Sequence, residues 1–163
     1  MDSPIYRTTQ GQYQTSRPAS KEDIIGYAKL LIEEEFARQD TLESPEEAKD
    51  FLVAKLGREQ RETFGIVFLD KQNQVLGFET LFYGTVDHAT VHPREVIKRC
   101  LALNATAIIL AHNHPSGVCT PSAGDKNITK RLTEALDVVD VAVLDHFIVG
   151  GTTAFSFAKQ GLL

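Results

Sequence analysis

Cysteine is scarce in this chain: Cys100 and Cys119 are its only two among 163 residues. Two thiols make no disulfide framework, which excludes a small secreted scaffold and points to a reducing cytoplasm. No apolar run approaches the roughly 20 residues that a membrane helix needs, and the N-terminus is polar rather than signal-like. Excess positive charge is also missing. With 17 Lys and Arg against 22 Asp and Glu the net charge is −5, which argues against broad, charge-driven nucleic-acid binding. Local clusters remain, Arg94-Lys98-Arg99 and Lys126-Lys130-Arg131, of the kind that helix surfaces carry routinely. Tryptophan is absent and methionine occurs once, yet 42% of the chain is apolar and 24% charged. That balance is ordinary for a globular domain with a real core.

What is present converges on residues 110–125, Leu-Ala-His-Asn-His-Pro-Ser-Gly-Val-Cys-Thr-Pro-Ser-Ala-Gly-Asp. The run 105–111 before it is apolar and β-prone, as a buried strand requires. His112 and His114 are two apart, so an extended chain points both imidazoles to one side, with backbones about 7 Å apart. Pro115 ends the strand and Ser116-Gly117 opens a loop. Asp125 then falls just inside a helix begun by Pro121-Ser122. Two imidazoles and a carboxylate are the protein ligands of many catalytic zinc sites, with the fourth position open. The competing reading of Ser122-x-x-Asp125 is a helix cap, with an acidic residue suited to the helix dipole; the two roles do not exclude each other.

The spacing His112-x-His114, then Ser122 and Asp125, resembles the metal-binding signature of the JAMM (MPN+) metalloprotease family. The fuller run resembles the bacterial RadC-like branch, as do Gly84-Thr85, Val91-His92-Pro93-Arg94-Glu95, Leu103-Asn104-Ala105 and Asp145-His146. The resemblance covers roughly residues 45–160. It implies an α/β fold: a single three-layer α/β/α domain with a mixed sheet, of the JAB/MPN, cytidine-deaminase-like type. It implies Zn2+ at His112, His114 and Asp125, a peptide or protein substrate, and cleavage of peptide or isopeptide bonds by metal-activated water. A zinc ion lowers the pKa of water from 15.7 to about 7.

Such a site needs a carboxylate base beside the metal. Glu62, just ahead of Phe64-Gly-Ile-Val-Phe-Leu69, fits the family pattern; its alternative role is a charged strand entry. Glu79, flanked by apolar residues in Phe78-Glu79-Thr80-Leu81, is the second candidate, with a solvent-facing hairpin position as its bland reading. The resemblance also implies that Ser122 donates a hydrogen bond to the developing oxyanion, although one hydroxyl does not easily cap a helix as well. Cys119 is either a fourth ligand or an ordinary loop residue. His88, His92 and His146 are expected to be structural, with Asp145-His146 placed to orient a ligand imidazole.

Two other functions compete with the hydrolase reading. A nucleobase deaminase requires His-x-Glu and Pro-Cys-x-x-Cys, and neither is present. A non-catalytic RadC-like accessory factor in DNA repair or mobile-element function is the alternative to the hydrolase. Longer RadC-like proteins carry an N-terminal helix-hairpin-helix region, and this chain is expected to be a short form lacking it.

Along the chain, residues 1–40 are expected to be a loose leader to residue 19 and a helix from Ser20 to about Gln39, and residues 41–163 the metal-binding domain. Within that domain, Ser44-Pro45-Glu46-Glu47 opens a helix that stops at Gly57. A hairpin over 64–83, a helix from Pro93, the strand 105–111, a helix over 123–137, and strands over 138–149 and 152–157 complete the order.

Overall fold

In a computed structural model, residues 3–38, 42, 44–84 and 91–163 are described. They fall into two compact units, Met1–Gln39 and Asp40–Leu163.

The first unit holds strands β1 (Ile5–Arg7) and β2 (Tyr13–Thr15), paired antiparallel, and helix α1 (Lys21–Arg38). The loose leader expected for residues 1–19 is therefore a short hairpin. Its turn closes through Thr8 and Gly11, whose φ of +80° suits a residue without Cβ. Ser20 opens α1: its hydroxyl accepts the Asp23 N–H while Asp23 accepts the Ser20 N–H. The expected helix end near Gln39 lies outside the described residues, as do Thr85 and His88.

The second unit is built on a five-stranded mixed sheet in the order β4-β3-β5-β6-β7. Its strands are β3 (Thr63–Leu69), β4 (Val75–Tyr83), β5 (Ala107–Asn113), β6 (Ala142–Gly150) and β7 (Thr153–Ser156), and its helices α2 (Pro45–Leu56), α3 (Pro93–Ala102) and α4 (Ala123–Asp137). Only the β5–β6 pair is parallel, with α4 as its crossover. The ladder aligns Phe64 with His112 and His112 with Ile148, and likewise Ile66, Leu110 and His146. These residues share one face. There Phe64, Ile66, Phe68, Ile108 and Leu110 pack with Val96 and Cys100 of α3 and Ile128, Leu132 and Leu136 of α4. The opposite face carries Leu69, Ile109 and Phe147, which line a cavity with Ala48 of α2. Helices thus cover both sides of the sheet, and β3 and β5 are buried along their whole lengths.

The boundary between α4 and β6 differs from the sequence reading for an identifiable reason. Val138 to Val141 looks like strand by β-branching, but α4 ends there. The Val139 and Val141 N–H groups both bond the Leu136 carbonyl and Asp140 sits at φ +57°, so β6 begins only at Ala142. Gly57 does stop α2, yet its φ of −61° needs no glycine. A Cβ there would lie 2.1 Å from the Gly151 carbonyl oxygen, so close backbone approach explains the residue. Among the described residues no helix is long and apolar enough to cross a membrane.

Candidate metal centre

The site forms at the carboxyl end of β5, beside its parallel partner β6, where the sheet meets the first turn of α4. His112 lies within β5, fully buried, its ring stacked on Phe64 at 6.0 Å between centroids. His114 follows past the strand end and stays in the ladder through its N–H, which bonds the Val149 carbonyl at 2.8 Å. A turn closed by Gly117 N–H to the His114 carbonyl, with Pro115 at its second position, folds the loop back. The loop's Val118 carbonyl then accepts from His114 Nδ1 at 2.7 Å. A carbonyl only accepts, so Nδ1 carries the proton and a neutral His114 presents a bare Nε2.

Asp125 comes from α4 and is 1% exposed. The capping box places it: the Ser122 hydroxyl accepts the Asp125 N–H at 3.1 Å, and Asp125 Oδ2 accepts the Ser122 N–H at 2.7 Å. Burial alone would raise the Asp125 carboxyl, but the adjoining His112 ring and the Ser122 N–H together hold it well below the usual carboxylate range.

Three donor groups converge here. His112 Nε2 is 3.0 Å from His114 Nε2 and 3.0 Å from Asp125 Oδ1, while His114 Nε2 is 3.5 Å from Asp125 Oδ2. A tetrahedron with metal–ligand bonds of about 2.0 Å has edges of about 3.3 Å, so this donor set fits a small divalent ion. Glu62 and the two imidazoles form a second such group, with ligand atoms within 4.8 Å of one another, able to hold a metal ion.

Glu62 stands on the short segment between α2 and β3, and Asn113 fastens that segment. The Asn113 side chain donates to the Glu59 and Arg61 carbonyls, both at 3.0 Å, and accepts the Thr63 N–H at 2.8 Å. The middle residue of His112-Asn113-His114 therefore points away from the imidazoles and ties the Glu62 segment to the site strand. Sequence reasoning gave it no role, and only the tertiary pairing of β3 with β5 reveals one.

Glu79 lies elsewhere, on β4 opposite Ile66. Arg99 of α3 grips both its oxygens, with Nε at 2.8 and 2.6 Å, and this hydrogen-bonded pairing lowers the Glu79 pKa. Cys119 Sγ packs toward β7, 3.4 Å from Thr153 Oγ1 and 3.7 Å from the Thr153 carbonyl. Gly150 lies against the site loop so closely that a Cβ would meet the Gly117 oxygen at 2.4 Å and Cys119 Sγ at 2.6 Å. His92 is the N-cap residue of α3, without a side-chain capping bond. His146 of β6 contacts the site directly, with Nε2 2.9 Å from His112 Nδ1. Asp145 beside it points to the other face, where its carboxylate accepts from Ser156 Oγ at 2.5 Å and the Ala158 N–H at 2.9 Å.

A mixed sheet flanked by helices, with two histidines and acidic residues at the end of its parallel pair, defines a JAB-type α/β domain. The RadC-like JAB domain family matches residues 42–162, and the chain belongs to that family. It is 50% identical to a UPF0758 protein of Azotobacter vinelandii over 145 residues, covering 89% of this chain and 65% of the relative. A UPF0758 protein of Nitrosococcus oceani is 54% identical over 132 residues, covering 81% of this chain and 59% of the relative. For a UPF0758 protein of Vibrio cholerae the identity is 46% over 152 residues, covering 93% and 96%. The chain thus spans less than two thirds of the first two relatives and nearly all of the third.

Proposed function

We propose that this chain is a zinc-dependent hydrolase of JAMM type that cleaves peptide or isopeptide bonds, with His112, His114 and Asp125 as the metal ligands. The observation that carries the reading is the meeting of two imidazole nitrogens and a carboxylate at separations of 3.0 to 3.5 Å, with His112 and Asp125 buried. Two ring nitrogens and a carboxylate at that range must share a proton or a cation among them. Nitrogen and oxygen donors in a tetrahedral arrangement suit zinc. Bound there, zinc supplies an acidified water and polarises the substrate carbonyl.

The protein's own groups do the rest. Glu62, beside the imidazoles and partly exposed, takes a proton from the attacking water and returns it to the leaving nitrogen. Glu79 is less suited, because Arg99 holds its carboxylate. Ser122 caps α4 with an oxygen lone pair, which leaves the hydroxyl proton to donate to a developing oxyanion. Capping and donation are therefore compatible, contrary to the expectation that one hydroxyl does not serve both. Buried Cys100, its thiol pushed up to about 11 by burial, and Cys119 are both free, as suits a reducing cytoplasm.

The test is hydrolysis of a panel of fluorogenic peptide and isopeptide substrates by the zinc-loaded chain, with Glu62→Gln as control. Turnover by the wild type and its loss in the zinc-replete variant support the reading. A chain that binds zinc and cleaves nothing would favour the accessory-factor alternative.

A further inference from the structure

We propose that Thr129 and His146 form a positioning relay that sets the tautomer of His112 and so turns its Nε2 lone pair into the site. It rests on the proposed metal reading only for the use made of that lone pair.

The proton positions follow from counting donors and acceptors. The main-chain carbonyl of Asp125 can only accept, and Thr129 Oγ1 lies 2.6 Å from it. Thr129 has one hydroxyl proton, which is committed to that bond. His146 Nδ1 lies 2.6 Å from the same oxygen, which has only lone pairs left to offer. His146 Nδ1 therefore carries a proton and donates. A neutral His146 then has a bare Nε2, and His112 Nδ1, 2.9 Å away, supplies the proton between them. In a neutral His112, Nε2 is consequently bare, and it is the atom 3.0 Å from both His114 Nε2 and Asp125 Oδ1.

Every member is sealed from water: Thr129 is 2% exposed, and His112 and His146 are 0%. Solvent cannot substitute for a missing partner, so the chain of bonds has one consistent direction. Phe157 stacks on His146 with ring centroids 4.8 Å apart and packs against that face of the ring. The relay starts from the main chain of Asp125 itself, so two of the candidate ligands are coupled through α4 and β6. The Val118 carbonyl performs the same office for His114.

The experiment is nitrogen-15 NMR of the histidine rings in the full chain, metal-free and zinc-loaded, for the wild type, Thr129→Val and Thr129→Ser. The expected result is His146 protonated on Nδ1 in both states, and His112 protonated on Nδ1 with zinc bound. Thr129→Val should weaken zinc binding about tenfold, within the range for lost ligand-orienting partners, while Thr129→Ser should restore it. A bare Nδ1 on His146 in either state overturns the proposal. So does a folded Thr129→Val whose ring signals and zinc affinity match the wild type. If the wild type takes up no zinc, the metal reading falls, and the metal-free spectrum decides the relay by the same criterion.

Discussion

Asn113 Oδ1 accepts the backbone N–H of Thr63 at 2.8 Å, across fifty residues of sequence. The two residues join strand β5, which bears both histidines, to the segment that carries Glu62. A strand with two candidate ligands and a candidate base are thereby held by one amide, whose nitrogen also satisfies the Glu59 and Arg61 carbonyls. Position of the base relative to the metal is what proton transfer depends on.

Asn113→Ala is expected to break three hydrogen bonds, one of them fully buried, and to lower stability by about 2 kcal/mol or more. It should also reduce turnover more than zinc affinity, because the ligands keep their own supports. Urea unfolding with zinc titration measures both, and a variant that loses zinc while keeping its stability would contradict the clamp.

Glu62→Gln and Glu79→Gln should behave in opposite ways. The first removes the base and is expected to cut kcat by a hundredfold or more, with zinc retained. The second loosens the pairing with Arg99 and is expected to leave both zinc and kcat near wild type. Steady-state kinetics on zinc-replete protein decides, and a dead Glu79→Gln beside an active Glu62→Gln would reverse the assignment.

Ser122 caps α4, and its proposed donation to an oxyanion is separable from that cap. Ser122→Ala should cost about 1 kcal/mol through the lost cap, whereas Ser122→Gly should cost only a few tenths through the cap. Both remove the hydroxyl, so both should lower kcat by a similar factor, about a hundredfold to a thousandfold. Thermal melts paired with kinetics test this. Activity that tracks stability across the two variants would leave Ser122 as a cap alone.

Without metal, stability should fall with acid. Burial, and next the neighbouring His112, push His146 well below its ordinary 6.5. Asp125 sits below its ordinary 3.8. Each group binds protons more readily in the unfolded chain, so stability rises with pH wherever the unfolded form is the more protonated. The loss begins below about pH 6.5 through His146 and deepens below about pH 4 through Asp125. Urea midpoints in chelator at pH 7.5, 5.5 and 4 should fall in that order; equal midpoints at the upper two would contradict the buried neutral His146.

The parts of this picture that were legible in the sequence are local ones. His112-x-His114 reads from strand periodicity, and Ser122-x-x-Asp125 reads as a cap because the bonds span three residues. The extent of α4 follows from its apolar spacing, and the observed 123–137 agrees. Contacts between distant segments were not legible. The role of Asn113 depends on the pairing of β3 with β5, and the Thr129–His146 bond joins α4 to β6. The hairpin Ile5–Thr15 was hidden because its strands are short and largely exposed, with no apolar alternation to betray them. Glu79 looked costly among apolar neighbours, and Arg99, its partner, comes from a helix twenty residues on.

The central claim is that His112, His114 and Asp125 hold one metal ion. Elemental analysis of protein purified without added metal, for the wild type and Asp125→Ala, tests it most directly. The account predicts about one zinc per wild-type chain and its loss in the variant. A wild type that holds no zinc even when zinc is offered, or an Asp125→Ala variant that keeps it, would contradict the account.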